Sequence, residues 1–181
     1  MVAWNTALYG VYIYLGVGLS ACGFSTEEIA AAIPFYGCGA IGGVLIGGRM
    51  VDRIGAKETS GVGLAGFCAC LLLVQLAIDA GMLVTFALGA ASAAAQLFFP
   101  AQQAGLADEF PAQRAAVLAW NNSALFLGIS LGSLSGGQAI SHGGFAANLS
   151  ISAVIAIVGW TINRAVMPNT VPSQAETVDL R

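Results

Sequence analysis

The sequence predicts an all-α integral membrane protein of six transmembrane helices, arranged as two groups of three. Three observations carry that prediction. First, 57% of the 181 residues are hydrophobic and only 8% are charged, with a mean hydropathy of +0.82, whereas soluble domains carry roughly 25% charged residues. Second, the few charges sit between long apolar runs: none precedes Glu27, and 29–48, 59–78, 80–107 and 115–163 carry none. Third, glycines recur in four-residue ladders on two of the runs, as in helices that pack closely within lipid.

The spans follow in order. A helix needs roughly 20 apolar residues to cross the hydrocarbon core. The first span, about 3–22, precedes Glu27 and Glu28. It places Asn5, Tyr9, Tyr12 and Gly16 on one face at i, i+4, i+7 and i+11. The second span, about 29–48, carries the ladder Gly39, Gly43 and Gly47. A charged loop separates it from the third, about 59–78, which contains Cys68 and Cys70. The fourth, about 82–106, repeats the first span's spacing with Ser92, Gln96, Phe99 and Gln103. Pro100 is expected to free a carbonyl and kink it. The uncharged run 115–163 has 49 residues, which as one helix would reach about 73 Å. It is expected to break at Ser141-His142-Gly143-Gly144, giving a fifth span near 115–140 and a sixth near 145–164. The fifth carries the second ladder, Gly128, Gly132 and Gly136.

The two ladders fall on the second and fifth spans and the two polar stripes on the first and fourth. That placement suggests an internal three-helix repeat, as transporters carry. Polar residues in a bilayer interior usually face a bundle interior or a wet cavity. Asn5, Tyr9, Tyr12, Ser92, Gln96, Phe99 and Gln103 are therefore the candidate substrate-cavity residues, against the plainer alternative of interhelical hydrogen bonds that only hold the bundle. Gly39, Gly43, Gly47, Gly128, Gly132 and Gly136 are candidate interface glycines. Packing within the chain explains one ladder readily, and two on equivalent helices hint at contact with another bundle.

Six spans put both termini on one side. All six basic residues (Arg49, Arg53, Lys57, Arg114, Arg164 and Arg181) fall there too, which makes that side the cytoplasm. The expected setting is a cell (inner) membrane, crossed several times. Residues 1–167 form the bundle and 168–181 a polar, disordered cytoplasmic tail. The N-terminus lacks the basic region of a cleaved signal peptide, so Leu19-Ser20-Ala21-Cys22 reads as a chance likeness to a lipoprotein box.

Other functions are disfavoured. A net charge of −3 leaves no basic face for nucleic acid. The four cysteines form no Cys-x-x-Cys pair and no histidine cluster accompanies them, so neither a metal nor a cofactor is expected. They read as small buried thiols, and His142 as a solvated loop residue. Gly128-Ile129-Ser130-Leu131-Gly132 spells a serine-nucleophile motif. Its only histidine, His142, lies about 18 Å away along a continuous helix, while a base must approach within roughly 3 Å. No catalytic residue is assigned and no enzymatic activity expected.

Between the second and third spans runs Gly48-Arg49-Met50-Val51-Asp52-Arg53-Ile54-Gly55-Ala56-Lys57. It resembles the cytoplasmic signature of the major facilitator superfamily: Gly, three residues, Asp-Arg, one residue, Gly, then a basic pair whose first member is Ala56 here. Physically, Gly48 permits close helix contact, Gly55 a positive-φ turn, and Asp52 can pair with a base or a helix N-terminus. Gly132-Ser133-Leu134-Ser135-Gly136-Gly137 looks like the family's antiporter motif with serine in place of proline. The embedded arginine of many N-terminal halves is missing from the fourth span. Phe99-Pro100-Ala101-Gln102-Gln103, Pro111 through Arg114 and Asn121-Asn122-Ser123 are similar to helices ten and eleven of drug and sugar efflux members. Over residues 3–167 the chain therefore resembles the C-terminal half of such a transporter.

The resemblance implies one half of a major-facilitator fold, in which two six-helix halves rock about a central site. The first and fourth helices would line the cavity, and the second and fifth would face the other half. Gly48, Asp52, Arg53, Gly55, Lys57 and Arg114 would form a cytoplasmic latch. The implied function is efflux of small amphipathic molecules, with proton coupling as an option, although no carboxylate lies in mid-span. Expected partners are the lipid bilayer, a small-molecule substrate, and an N-terminal six-helix half (same gene or second chain) or a second copy in a homodimer. The alternative is a non-transporting multi-pass protein or a truncated remnant of a transporter.

Overall fold

A computed structural model describes residues 1–167. The regular structure there is helical: α1 (Val2–Tyr12), α2 (Leu15–Ala21), α3 (Thr26–Ile54), α4 (Ala56–Leu76), α5 (Met82–Gln96), α6 (Phe98–Glu109), a 3₁₀ turn (Pro111–Gln113) and α7 (Arg114–Val166). Several of these helices are long and apolar enough to cross a membrane. The tail expected from Pro168 lies outside the described residues.

The expected first span is not one helix. It divides at Ile13–Tyr14, where α1 and α2 meet at 46°. The Gly10 carbonyl, the ordinary acceptor for the Tyr14 amide, instead accepts from the Asn148 side chain at 2.9 Å. Tyr14 rests on Gly136 and Gly137 and donates its hydroxyl to the Ser133 carbonyl at 2.8 Å. The fourth span is also interrupted, at Leu97 between α5 and α6. Pro100 has no amide to offer the Gln96 carbonyl, and the Leu97 amide is shared between Ala93 and Ala94 at 3.3 Å each.

The charged stretch read as a loop is mostly helix. α3 begins earlier than expected, in a capping box between Ser25 and Glu28, and runs on through Arg49, Asp52 and Arg53. The chain turns at Gly55 alone, whose φ of 84° suits a residue without a Cβ. The break expected at Ser141-His142-Gly143-Gly144 falls at Gly144, whose φ of 71° and ψ of −164° are non-helical, and α7 is two helices joined there at a kink. The limbs on either side both return to α1: Gly10 lies beside Gly132 and also beside Asn148 and Ser152.

The core joins α1, α4, α5 and the limb after Gly144 through Leu8, Leu64, Phe67, Leu88 and Leu149. Trp4 ties α1 to the α5–α6 junction. Its indole donates to the Ala95 carbonyl at 2.8 Å and its ring packs 5.1 Å from Phe98. Near the N-terminal end of α4, Asn163 donates to Ser60 at 2.8 Å, and Arg164 pairs with Glu58 at 2.9 Å.

Candidate functional site

The candidate site is a trough. α3 packs on α5 and α6, and the limb 114–143 packs on α1, whereas α3 and α7 make no substantial contact with each other. The helices carrying the polar stripes therefore form the floor and the ladder helices the walls.

Glycine sets both crossings, and both ladders turn inward. A methyl group at Gly39 would collide with the Gly89 carbonyl, and one at Gly43 with the Ala93 carbonyl. One at Gly47 would lie 2.8 Å from the Pro100 ring. On the other wall, methyls at Gly132 and Gly136 would lie 2.8 Å from the Thr6 carbonyl and 2.7 Å from the Gly10 carbonyl. At Gly128 one would lie 2.5 Å from the Asn5 Cβ. The expectation that these glycines meet another bundle is corrected: their faces are used within the chain, because each opposes a backbone too close for any side chain. The flanks remain open, with Ile41 and Leu45 exposed on α3 and Trp120, Leu127 and Leu134 on α7.

The seven cavity candidates do not share one environment. Asn5 is fully buried, pressed against Gly128 with its Oδ1 unpartnered, so it lines no open space. Tyr9 and Tyr12 meet edge to face at 6.0 Å, and Tyr12 is 44% exposed. Ser92 is fully buried. Gln96 borders a shallow groove of about 300 Å³ with Ala40, Ile41, Val44 and Leu45 of α3. Phe99 is half-buried beside Trp4 at 6.2 Å, and the Gln103 Oε1 is buried without a partner. A larger cavity, about 500 Å³, opens instead among Trp4, Leu64, Phe98, Gln102, Gly159 and Asn163 and touches none of the seven.

The sequence reading missed Tyr36. It projects from α3 to stack on Tyr12 at 5.2 Å and is 5% exposed. Ser92 stands near enough to interact with it, yet neither hydroxyl closes a hydrogen bond. The available signal was a tyrosine amid the small residues of the second span. No charged side chain occurs in the helical runs around this cluster.

At the other end, Asp52, Arg53 and Arg114 are exposed, and none forms an ion pair among the described residues. Gly48 meets nothing within 4 Å, so the close contact expected there is not made among the described residues. The ion pair that does form, Arg164 with Glu58, joins residues 106 apart, which no local spacing reveals.

The model of the Major Facilitator Superfamily matches residues 1–180. The chain belongs to the major facilitator superfamily. Membership fits a multi-pass membrane protein of a transporter family, and the signature around Asp52 and Gly55 sits where α3 turns into α4. No curated protein matches the chain.

The hydrolase motif is structural in this setting. Ser130 donates to the Phe126 carbonyl at 3.1 Å within its own helix, and Gly128 and Gly132 on either side seat α1. His142 is exposed beside Ser141 and the Gln138 carbonyl. Cys22 and Cys38 are exposed, against the expectation that all four thiols are buried, because no helix among the described residues covers them. Among the described residues no group of three metal-ligating side chains occurs.

Proposed function

We propose that the chain acts as one six-helix half of a secondary transporter, in a 3+3 arrangement, moving small amphipathic molecules outward by alternating access. The observation that supports this most is the interchange of contacts. α3 seats its glycines on the α5–α6 helix, while the limb 114–143 seats its glycines on α1. Exchanging the first three spans with the last three maps one crossing onto the other, the symmetry expected of repeats that rock about a shared site. The open trough, with polar and aromatic groups on its floor, would be completed by a second six-helix body meeting the exposed flanks of α3 and α7.

The cytoplasmic signature fits this reading. Among the described residues Asp52, Arg53 and Arg114 form no ion pair and Gly48 is open, so an opposing half would find a charged face to bind in one state of the cycle and release in the other. Such a latch shifts the equilibrium only through that difference in affinity. Both termini would lie in the cytoplasm of a cell (inner) membrane. Any proton step would belong to the opposing half, because no carboxylate of this chain lies in mid-span.

Reconstitution tests the reading. Vesicles containing this chain alone should accumulate no amphipathic dye, and vesicles containing it with an N-terminal six-helix half should. Full transport by the isolated monomer overturns the half-transporter reading. Absence of transport in every pairing, together with indifference to Asp52→Asn, favours a non-transporting bundle.

A further inference from the structure

Where the α3 wall of the trough meets the α5 floor lie two neighbouring hydroxyls that close no hydrogen bond among the described residues. Tyr36 is 5% exposed and Ser92 fully buried, they come from different helices, and neither oxygen has a hydrogen-bond partner. A buried hydroxyl without a partner keeps its full desolvation cost, so stability alone would favour Phe and Ala here. The groups sit beneath Tyr12, whose ring stacks on Tyr36 at 5.2 Å while remaining 44% exposed. One helical turn further along both helices, at Ala40 and Gln96, the surface opens into the groove of about 300 Å³. Tyr12 therefore covers a polar pocket floor at the head of an existing groove.

We propose that Tyr36 and Ser92, with the Gln96 amide at the groove edge, form a subsite for an uncharged ligand group. That group carries a hydroxyl or carbonyl edge and a flat apolar face, and Tyr12 serves as its displaceable cover. The inference rests on the transporter reading and adds a substrate class to it. The lack of charge decides the class. The runs 1–26, 29–48, 80–107 and 115–163 that make up the middle of the helices around the trough are uncharged, and an ion drawn into such surroundings without a counter-charge loses far more hydration than a neutral group does. Two orphaned hydroxyls replace water for a neutral edge, and the exposed Tyr12 ring offers a stacking face.

Equilibrium binding to the purified chain in lipid nanodiscs tests this with 4-nitrophenyl glucoside as neutral probe, 4-nitrophenyl phosphate as anion and tetraphenylphosphonium as cation. The neutral probe should bind saturably and more tightly than either ion. Tyr36→Phe should weaken it about tenfold and Ser92→Ala about fivefold. Both variants should leave the Tm of the empty protein unchanged or raised, which a structural role for the hydroxyls would not allow. Preference for an ion, no saturable neutral binding, unchanged affinity in Tyr36→Phe or a lowered Tm each overturns the subsite. Binding without transport in any pairing would remove the transporter reading and keep the subsite. Transport indifferent to Tyr36→Phe would do the reverse.

Discussion

Where α1 crosses the limb 114–143, glycine contact is reinforced by polar bonds. Thr6 donates to the Gly128 carbonyl at 3.2 Å, Tyr14 to the Ser133 carbonyl at 2.8 Å, and Asn148, from the limb after Gly144, to the Gly10 carbonyl at 2.9 Å. Where α3 crosses α5, Gly39 and Gly43 approach the facing backbone more closely still. The side chains that finish this second crossing are aromatic, with Phe35 against Phe86 at 5.2 Å, while Tyr36 and Ser92 go unpartnered. One wall of the trough is pinned and the other is held by shape alone. Unpartnered buried atoms occur beside both walls: Asn5 Oδ1, Asn121 Nδ2 and Asn148 Oδ1 beside the first, and Tyr36 and Ser92 beside the second, where it is the whole hydroxyl that is left over.

The contrast can be broken at either wall. The largest effect should follow Gly43→Ala, because the new methyl meets the Ala93 carbonyl and the helices must separate. A loss of about 3 kcal/mol is expected, at the upper end for overpacking, visible as a sharp fall in Tm by scanning fluorimetry in detergent. Gly132→Ala should cost somewhat less, about 2 kcal/mol, since its contacts begin at 2.8 Å. An equal or smaller response at Gly43 would show that the second wall can slide to absorb the methyl.

Removing the pins gives the next effect. Asn148→Leu deletes the bond to Gly10 and should cost about 1 kcal/mol, with faster amide exchange around Tyr14–Gly18 as the break in α1 loosens. Unchanged exchange there would mean that Tyr14 in its glycine seat holds the break unaided. Tyr14→Phe should cost about 0.6 kcal/mol, the average for side-chain hydrogen bonds within membranes. Near the bottom lies Arg164→Gln. Its pairing with Glu58 is 40% and 52% exposed, so the loss should stay below about 0.5 kcal/mol and vanish in high salt. Gly48→Ala, with open space around it, should leave the isolated chain's Tm unchanged or slightly raised. A destabilisation there would reveal a contact beyond those among the described residues.

Much of the architecture was legible in the residues. Uncharged runs marked the apolar helices, because a charge in lipid is costly wherever the chain leads. The ladders marked close crossings, because small residues at four-residue spacing line one face. The turn at Gly55 followed from the signature. The candidate site was less legible. Asn5 and Tyr9 share a helical face, yet Asn5 is sealed against Gly128 while Tyr9 packs edge to face on Tyr12. A face has width, and only its neighbours decide which side of it is covered. Tyr36, which stacks on Tyr12, lies on the helix whose sequence pattern is dominated by its glycine ladder.

The sequence by itself determined membrane residence, the positions of most apolar helices and the family, since desolvation cost, span length and a local signature are properties of contiguous residues. The tertiary structure decided which helix each ladder meets, where α1 breaks, and which polar groups go without partners. Those outcomes depend on atoms 119 to 138 positions apart, as in Tyr14 with Ser133 and Asn148 with Gly10. A hydrogen bond taken by one group is denied to another, and that competition is settled only when the helices have packed.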